Sequence, residues 1–151
     1  MARTILVPLD IAMENAAVLD VVGELARAEN VTVRLMHVAP CPEAVLNDDG
    51  KVVVYADQET LRVEHQVTAS LKSLAGRLSG VRTEFAVRFG DPVEEIVREG
   101  ESEDVQLIAM ATHRRKGAAR LIAGSVAETV ERQTTRPVLL VRSGRTAACL
   151  L

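Results

Sequence analysis

The chain of 151 residues almost lacks aromatic side chains: it has no tryptophan, one tyrosine and two phenylalanines. Proteins that hold nucleic acid by stacking its bases need such side chains, so this binding mode is excluded. The net charge of −3 also argues against a nucleic-acid partner, because such proteins usually carry a basic face. Since the hydrophobic fraction is nevertheless 48%, the core has to be built from aliphatic residues and methionine.

Cysteines and long apolar runs are also scarce. Cys41 and Cys149 are the only two cysteines, and they form neither a CxxC pair nor a cluster with histidine, so no zinc site or redox motif is expected. No run reaches the roughly 18 apolar residues that a membrane span needs. Pro8 and Asp10 interrupt the amino-terminal run, unlike the run of a signal peptide. We therefore expect a cytoplasmic protein with no membrane span.

Short strands alternate with helical patterns along the chain. The predicted strands are 5–7, 31–38, 81–89, 105–110 and 137–141, and helices are predicted to begin near residues 15, 57, 91 and 125. Right-handed crossovers between such units give a parallel sheet with helices on both faces, so one α/β domain is predicted. Alternating apolar and charged residues place strand 81–89 near a sheet edge. Residues 39–56 are expected to form an exposed, irregular connection.

Local signals identify two helix starts and no catalytic motif. Asn15 is a candidate N-cap, and Asp91 is followed by proline and, three residues on, by Glu94, which is typical of a capped helix start. His37 falls inside a strand, where a packed or hydrogen-bonded ring is expected. No catalytic triad, Walker-type loop, GxGxxG motif or metal cluster is found, so an efficient enzyme is not expected.

The segment 105–128 is the most informative part of the chain, because a buried strand runs through a basic loop into a helix that opens at Gly124-Ser125. Free backbone N–H groups and the helix dipole make such a helix start a good place for an anion. The loop concentrates cations in an otherwise acidic protein. They are His113, Arg114, Arg115, Lys116 and Arg120.

Several segments, in order and at the right distances, resemble the universal stress protein family. They are Thr4-Ile-Leu-Val-Pro-Leu-Asp10, Met36-His-Val38, Phe89-Gly-Asp-Pro92, Ala109-Met-Ala-Thr-His113, Gly124-Ser-Val-Ala-Glu128 and Arg136-Pro-Val-Leu-Leu-Val141. The resemblance implies a domain over residues 1–142, followed by a tail, 143–151. It also implies a flavodoxin/Rossmann-like three-layer sandwich, with a five-stranded parallel sheet of strand order 3-2-1-4-5.

The same resemblance implies a ligand site and a dimer interface. Ligands of open α/β sheets bind where the strand order reverses, here between the first and fourth strands. The implied nucleotide- or anion-binding residues are Pro8, Asp10, Val38, Met110, Ala111, His113, Arg114, Gly124, Ser125 and Val126. The implied homodimer forms through the last strand, Val138, Leu139, Leu140 and Val141. The alternative is that the tail, with Leu150 and Leu151, covers this edge.

The chain departs from the pattern of the ATP-binding members of the family. The pattern of those members is a glycine, two residues, a second glycine, nine residues, a third glycine, and then serine or threonine. The four defined positions fall here on Ala111, Arg114, Gly124 and Ser125, so the first two glycines are missing. A left-handed conformation forced on Arg114 would cost about 1–2 kcal/mol, although a guanidinium can also bind phosphate through two hydrogen bonds. In addition, Ile11-Ala12 follow Asp10 where the family usually has Gly-Ser.

Three interpretations of the loop are open: a solvated basic loop with a capping box, Ser125 to Glu128; a functional nucleotide site; and a site for another anion such as phosphate. The resemblance implies a homodimeric stress-response regulator or adaptor, with an unidentified protein partner and weak or absent ATP binding. The alternative is an ATP-binding sensor with at most slow ATPase activity, for which ATP with magnesium would be the cofactor.

Overall fold

The computed structural model describes residues 3–13, 15–43, 45–54, 56–112 and 125–142. Along the chain the elements are β1 (Thr4–Pro8), α1 (Ala16–Glu29), β2 (Thr32–Ala39), β3 (Val45–Leu46), β4 (Val52–Val54), α2 (Ala56–Leu74) with a 3-10 turn (Ala75–Arg77), β5 (Thr83–Phe89), α3 (Pro92–Gly100), β6 (Val105–Thr112), α4 (Ser125–Gln133) and β7 (Val138–Arg142). Within these ranges, no helix is both long enough and apolar enough to cross a membrane.

The main sheet has five parallel strands in the order β5-β2-β1-β6-β7. Numbered along the chain within this sheet, the order is 3-2-1-4-5, as predicted. The strand 83–89 lies at one edge, which confirms the expectation from its alternating apolar and charged residues. The strand 138–142 forms the other edge.

Each face of the sheet has its own apolar core, because successive side chains of a strand point to opposite faces. On one face, α1 and α2 pack against fully buried strand residues such as Ile5, Val7 and Leu35. On the other face, α3 and α4 pack on residues such as Leu6 and Ile108. The result is the predicted three-layer sandwich, and β1 is buried on both sides because it lies at the centre of the sheet.

The segment 39–56 is more regular than expected. β3 and β4 pair as an antiparallel hairpin, with Val45 opposite Val54 and Leu46 opposite Val52. Asn47 closes the turn, since its Oδ1 accepts from the N–H groups of Asp49 and Lys51 at 3.0 and 2.9 Å. The turn formers were interpreted only as a loop, although turn residues flanked by β-branched residues also predict a hairpin.

Both predicted N-cap residues stand at the predicted helix starts, but only one of them makes a capping hydrogen bond with its side chain. Asp91 caps α3, because its side chain accepts from the N–H of Glu94 at 3.0 Å. Asn15 stands at the start of α1 but makes no capping hydrogen bond with its side chain. Its amide instead reaches back to the preceding turn, where it donates to the carbonyls of Asp10 and Met13.

Candidate functional site

The carboxyl ends of β1, β2 and β6 lie at the same edge of the sheet, because these strands are parallel neighbours. From β1, the chain adds β2 and β5 on one side of the sheet and then crosses to add β6 and β7 on the other, so the strand order reverses between β1 and β6. Their paired register ends at Leu6 and Ile108, although β1 runs on to Pro8 and β6 to Thr112. The regular pairing thus stops before the carboxyl ends of the two strands, and we call the region beyond these ends the crevice. Ligands of open α/β sheets bind at such a point.

Asp10 lies beside the crevice, where the chain leaves β1, and its carboxylate closes a tight turn. Oδ1 accepts from the N–H of Ala12 at 3.0 Å, and the backbone carbonyl accepts from the N–H of Met13 at 3.0 Å. The residue is exposed, and its Oδ2 has no partner among the described residues. One carboxylate oxygen therefore stabilises the turn, while the other is available to a donor.

Ile11 stands where the family usually has glycine, and it gives the turn an apolar anchor. Its side chain is half-buried and packs against the core that β1 shares with α1 and α2. A glycine at this position could not make that contact. The departure from the family pattern therefore adds packing to the turn that carries Asp10.

Ala111 is easily accommodated at the first position of the glycine pattern. It lies in β6, pairs with Val141 and packs, half-buried, against the α1/α2 core. Among the described residues other than glycine, only Asn30 has a positive φ, so Ala111 has a negative one. An alanine here brings no backbone strain, because the left-handed region that favours glycine is not used.

Four further predicted residues occupy ordinary core positions near the carboxyl ends of the strands or at the start of α4. Pro8 is buried as the last residue of β1, and Met110 is buried in β6. Val38 and Val126 are half-buried against the α3/α4 core. These contacts explain the residues as parts of the core, and the implied contact of Val38 with an adenine ring stays a prediction.

The remaining predicted residues can be placed only in part. α4 begins at Ser125, as expected from the sequence. His113, Arg114 and Gly124 lie outside the described residues. That Asp10 and Ser125 are neighbours across the crevice therefore stays a prediction, which the adjacency of β1 and β6 supports.

His37 contacts the turn of Asp10, although the sequence did not assign it to the site. Its Nδ1 lies 2.7 Å from the carbonyl oxygen of Leu9, the residue before Asp10. The sequence signal was the position of this histidine near the end of β2. A polar ring at the carboxyl end of a central strand can reach the turn that follows the neighbouring strand.

The main cluster of ionised side chains lies away from the crevice, and its role is structural. Arg34 on β2 binds Glu84 at 2.9 Å, Glu99 at 3.0 Å and Asp104 at 2.6 Å. Burial of Asp104 raises the pKa of its carboxyl, but hydrogen bonds from Arg34 and Thr4 outweigh that effect, and the net pKa is lowered. The cluster joins β2 to β5, α3 and the turn before β6. Among the described residues, no group of acidic, histidine and cysteine side chains could hold a metal ion.

A sequence model described as the Universal stress protein family matches residues 1–142. The chain belongs to the universal stress protein family. The universal stress protein YxiE of Bacillus subtilis is 26% identical to it over 151 residues, which cover 94% of this chain and 100% of YxiE.

Solved structures of the family share the fold. Protein MJ0577 of Methanocaldococcus jannaschii matches with a TM-score of 0.73 at 22% identity, over 97% of this chain and 99% of that one. The universal stress protein of Archaeoglobus fulgidus in complex with dAMP matches with a TM-score of 0.61 at 20% identity, over 92% and 97% of the two chains. At these identities the likeness shows the fold alone.

Proposed function

We propose that this member of the universal stress protein family is a cytoplasmic, homodimeric stress-response regulator or adaptor that binds adenine nucleotides weakly or not at all. The observation that carries the proposal is the exposed carboxylate of Asp10 at the carboxyl end of β1, where the strand order reverses between β1 and β6. This arrangement supports a ligand site at the crevice. Arg114, in place of the second glycine, supports low affinity for ATP, because its side chain would occupy space beside the phosphates.

An adenine nucleotide is the ligand class that the comparisons favour, since the Archaeoglobus fulgidus relative was solved with dAMP. The Oδ2 of Asp10 can accept a hydrogen bond from a sugar hydroxyl, and the amino end of α4 supports binding of the phosphate. A helix dipole contributes typically about 0.3–1 kcal/mol per charge, so cationic side chains of the loop would supply most of the anion affinity. Phosphate alone is the other anion that this site would suit.

Thermal unfolding with and without Mg-ATP tests the proposed affinity. A Kd of about 10 μM would add about 2.7 kcal/mol to the free energy of unfolding at about 1 mM ligand, whereas a Kd near 1 mM would add only about 0.4 kcal/mol. We expect the smaller value, and no adenine nucleotide in the supernatant after the purified protein is denatured. The larger shift, or a stoichiometric amount of released nucleotide, would contradict weak binding.

A genuine ATP-binding sensor with slow ATPase activity is the second candidate, and Ala111 is the observation in its favour. Two glycines of the ATP-binding pattern are replaced, by Ala111 and Arg114. Because Ala111 has a negative φ, its replacement of glycine is no obstacle to ATP binding. Positioning and charge carry much of phosphoryl-transfer catalysis, so a bound ATP could be hydrolysed slowly without a dedicated base. Release of phosphate from Mg-ATP in proportion to protein concentration would favour this candidate.

The substitution Arg114→Gly separates the two roles that this arginine could have. If its side chain blocks the pocket, the substitution should create or strengthen Mg-ATP binding. If the guanidinium holds phosphate, the existing binding should fall, by about tenfold for one lost charge-assisted hydrogen bond. Arg120→Gly is the matched control, because it removes a loop cation outside the glycine pattern.

The proposed homodimer forms through β7. This strand lies at the edge of the sheet, and its residues 138–141 are all apolar. Leu140 is 36% exposed there. Pairing with a second copy across a two-fold axis would satisfy the open backbone groups and cover this side chain. Light scattering at micromolar concentration should therefore give the mass of a dimer.

A further inference from the structure

The turn after β1 is held by side chains that come from outside it, the first of which is His37. The N–H of Leu9 donates to the carbonyl of Met36 at 2.8 Å, and the carbonyl of Leu9 lies 2.7 Å from Nδ1 of His37. A carbonyl oxygen can only accept, so Nδ1 carries the proton, which fixes the tautomer of the neutral ring. His37 thereby ties the start of the turn to β2.

Asn15 holds the other end of the same turn. It is only 4% exposed, and its Nδ2 donates to the carbonyl of Asp10 at 3.1 Å and to that of Met13 at 3.0 Å. Both hydrogens of the amide are thus used on the turn. Each donor hydrogen of this buried amide therefore has a partner on the turn, as buried polar groups require.

We propose that His37 and Asn15 are positioning residues, which keep the 9–13 turn in one conformation so that the free Oδ2 of Asp10 stays at the crevice. The inference rests on the proposed nucleotide site, in which Asp10 is the residue that touches the ligand. An acceptor that is already fixed loses little conformational freedom when a hydroxyl group binds it, so affinity is gained. Without the two side chains, the turn keeps its internal hydrogen bonds from Ala12 and Met13, the backbone hydrogen bond from Leu9 to Met36 and the packing of Ile11. None of these contacts holds the carbonyl oxygen of Leu9.

Three substitutions test this role. His37→Phe keeps a ring but removes the donor, whereas His37→Asn keeps an N–H group close to the place of Nδ1. Asn15→Asp preserves the shape of the side chain but removes both donors. We expect His37→Phe and Asn15→Asp to raise the Kd for Mg-ATP roughly tenfold. Amide chemical shifts followed over a titration with Mg-ATP would measure it, because this method reaches the weak affinities expected here. His37→Asn should restore the wild-type value to within about twofold, since the hydrogen bond is retained.

Hydrogen exchange of the unliganded protein provides a readout that needs no ligand. The amides of Ala12 and Met13 should exchange roughly tenfold faster in His37→Phe and Asn15→Asp, and at the wild-type rate in His37→Asn. Thr4→Val is the matched control. It removes the hydrogen bond of 3.1 Å from Thr4 to Asp104 at the opposite end of β1, so it should lower Tm without changing the Kd or these exchange rates.

The two measurements separate failure of the inference from failure of the proposed function. Tight binding of Mg-ATP by the wild-type protein would contradict the proposed function without contradicting the inference. If the wild-type protein does not bind Mg-ATP, which the proposed function allows, the exchange rates alone decide whether His37 and Asn15 position the turn. Unchanged exchange in His37→Phe and Asn15→Asp would overturn the inference. Faster exchange with an unchanged Kd would overturn it as well, because the turn would then not determine affinity.

Discussion

The two edges of the sheet are chemically opposite. The β5 edge carries charged residues, and two of them are tied inward: Glu84 binds Arg34 at 2.9 Å, and Arg88 binds Glu99 at 2.8 Å. The β7 edge presents the apolar run 138–141, in which Leu140 is exposed. Charged side chains discourage pairing with another strand, and an exposed apolar edge favours it.

This difference supports the proposed dimer, because charged side chains protect the β5 edge and no described charged cluster protects the apolar β7 edge. On the β5 side, the charged residues also fasten the edge strand to β2 and α3, because Arg34 and Glu99 take part in the same cluster. On the β7 side, the described residues offer no such cluster, and the turn before the strand is held by Thr135, which donates to the carboxylate of Glu101, and by Arg136. The guanidinium of Arg136 donates to the carbonyls of Gly100, Glu101 and Ser102 at 2.9–3.3 Å.

The largest expected effect is the loss of the dimer in Leu140→Lys. A lysine at the centre of the proposed β7 interface would place like charges opposite each other across the two-fold axis. We expect light scattering to give the mass of a monomer at micromolar concentration, with an unchanged far-UV circular dichroism spectrum.

Leu61→Lys is the control for this substitution, because Leu61 is 59% exposed on α2, which packs against β2 and β5. It should leave the mass unchanged. A dimer that persists in Leu140→Lys would show that β7 is not the interface. If the wild-type protein is a monomer, the apolar β7 edge is not a dimer interface, and the difference between the two edges has no role in assembly.

The next largest effect is expected from Arg34→Met, which tests the protected edge. The substitution leaves Glu84, Glu99 and Asp104 without their shared cation. Breaking a buried ion pair costs about 3–5 kcal/mol, and partial exposure of the carboxylates reduces the expected loss here to about 1–3 kcal/mol. Urea denaturation would measure it. Arg62→Met, which breaks the exposed pair with Glu59 on α2, should produce no measurable change.

The fold was predictable because it depends on patterns that are local in sequence. Alternating strand and helix signals gave the α/β class, and short family segments gave the strand order. Asp91 was predicted correctly as a cap, since its partner Glu94 is three residues away. The hairpin at 45–54 was missed because its turn residues were considered without the β-branched residues beside them.

The polar contacts of the site and of the β5 edge were not predictable in the same way, because their partners are distant in sequence. Arg34 meets carboxylates 50, 65 and 70 residues away. His37 reaches the carbonyl of Leu9 across 28 residues. Asn15 stands at the predicted N-cap position of α1, but the residue type could not show that its side-chain amide donates to two carbonyls of the preceding turn. Only the packed strands bring these groups together.

The smallest expected effect is a change in acid sensitivity, which separates the two edges again. The folded-state pKa of Asp104 is lowered, so its carboxylate stabilises the protein above the unfolded-state pKa of about 3.9, and this contribution is lost as the pH falls through the folded-state value. Asp104→Asn should lower the free energy of unfolding relative to the wild-type protein. This difference between the two proteins should be constant above about pH 5 and should become smaller below about pH 4. Residues 138–141 contain no titratable group, so the proposed dimer should keep its mass over the same range until the chain unfolds. If the difference in free energy of unfolding does not change with pH, the Asp104 carboxylate is not stabilised by its contacts with Arg34 and Thr4.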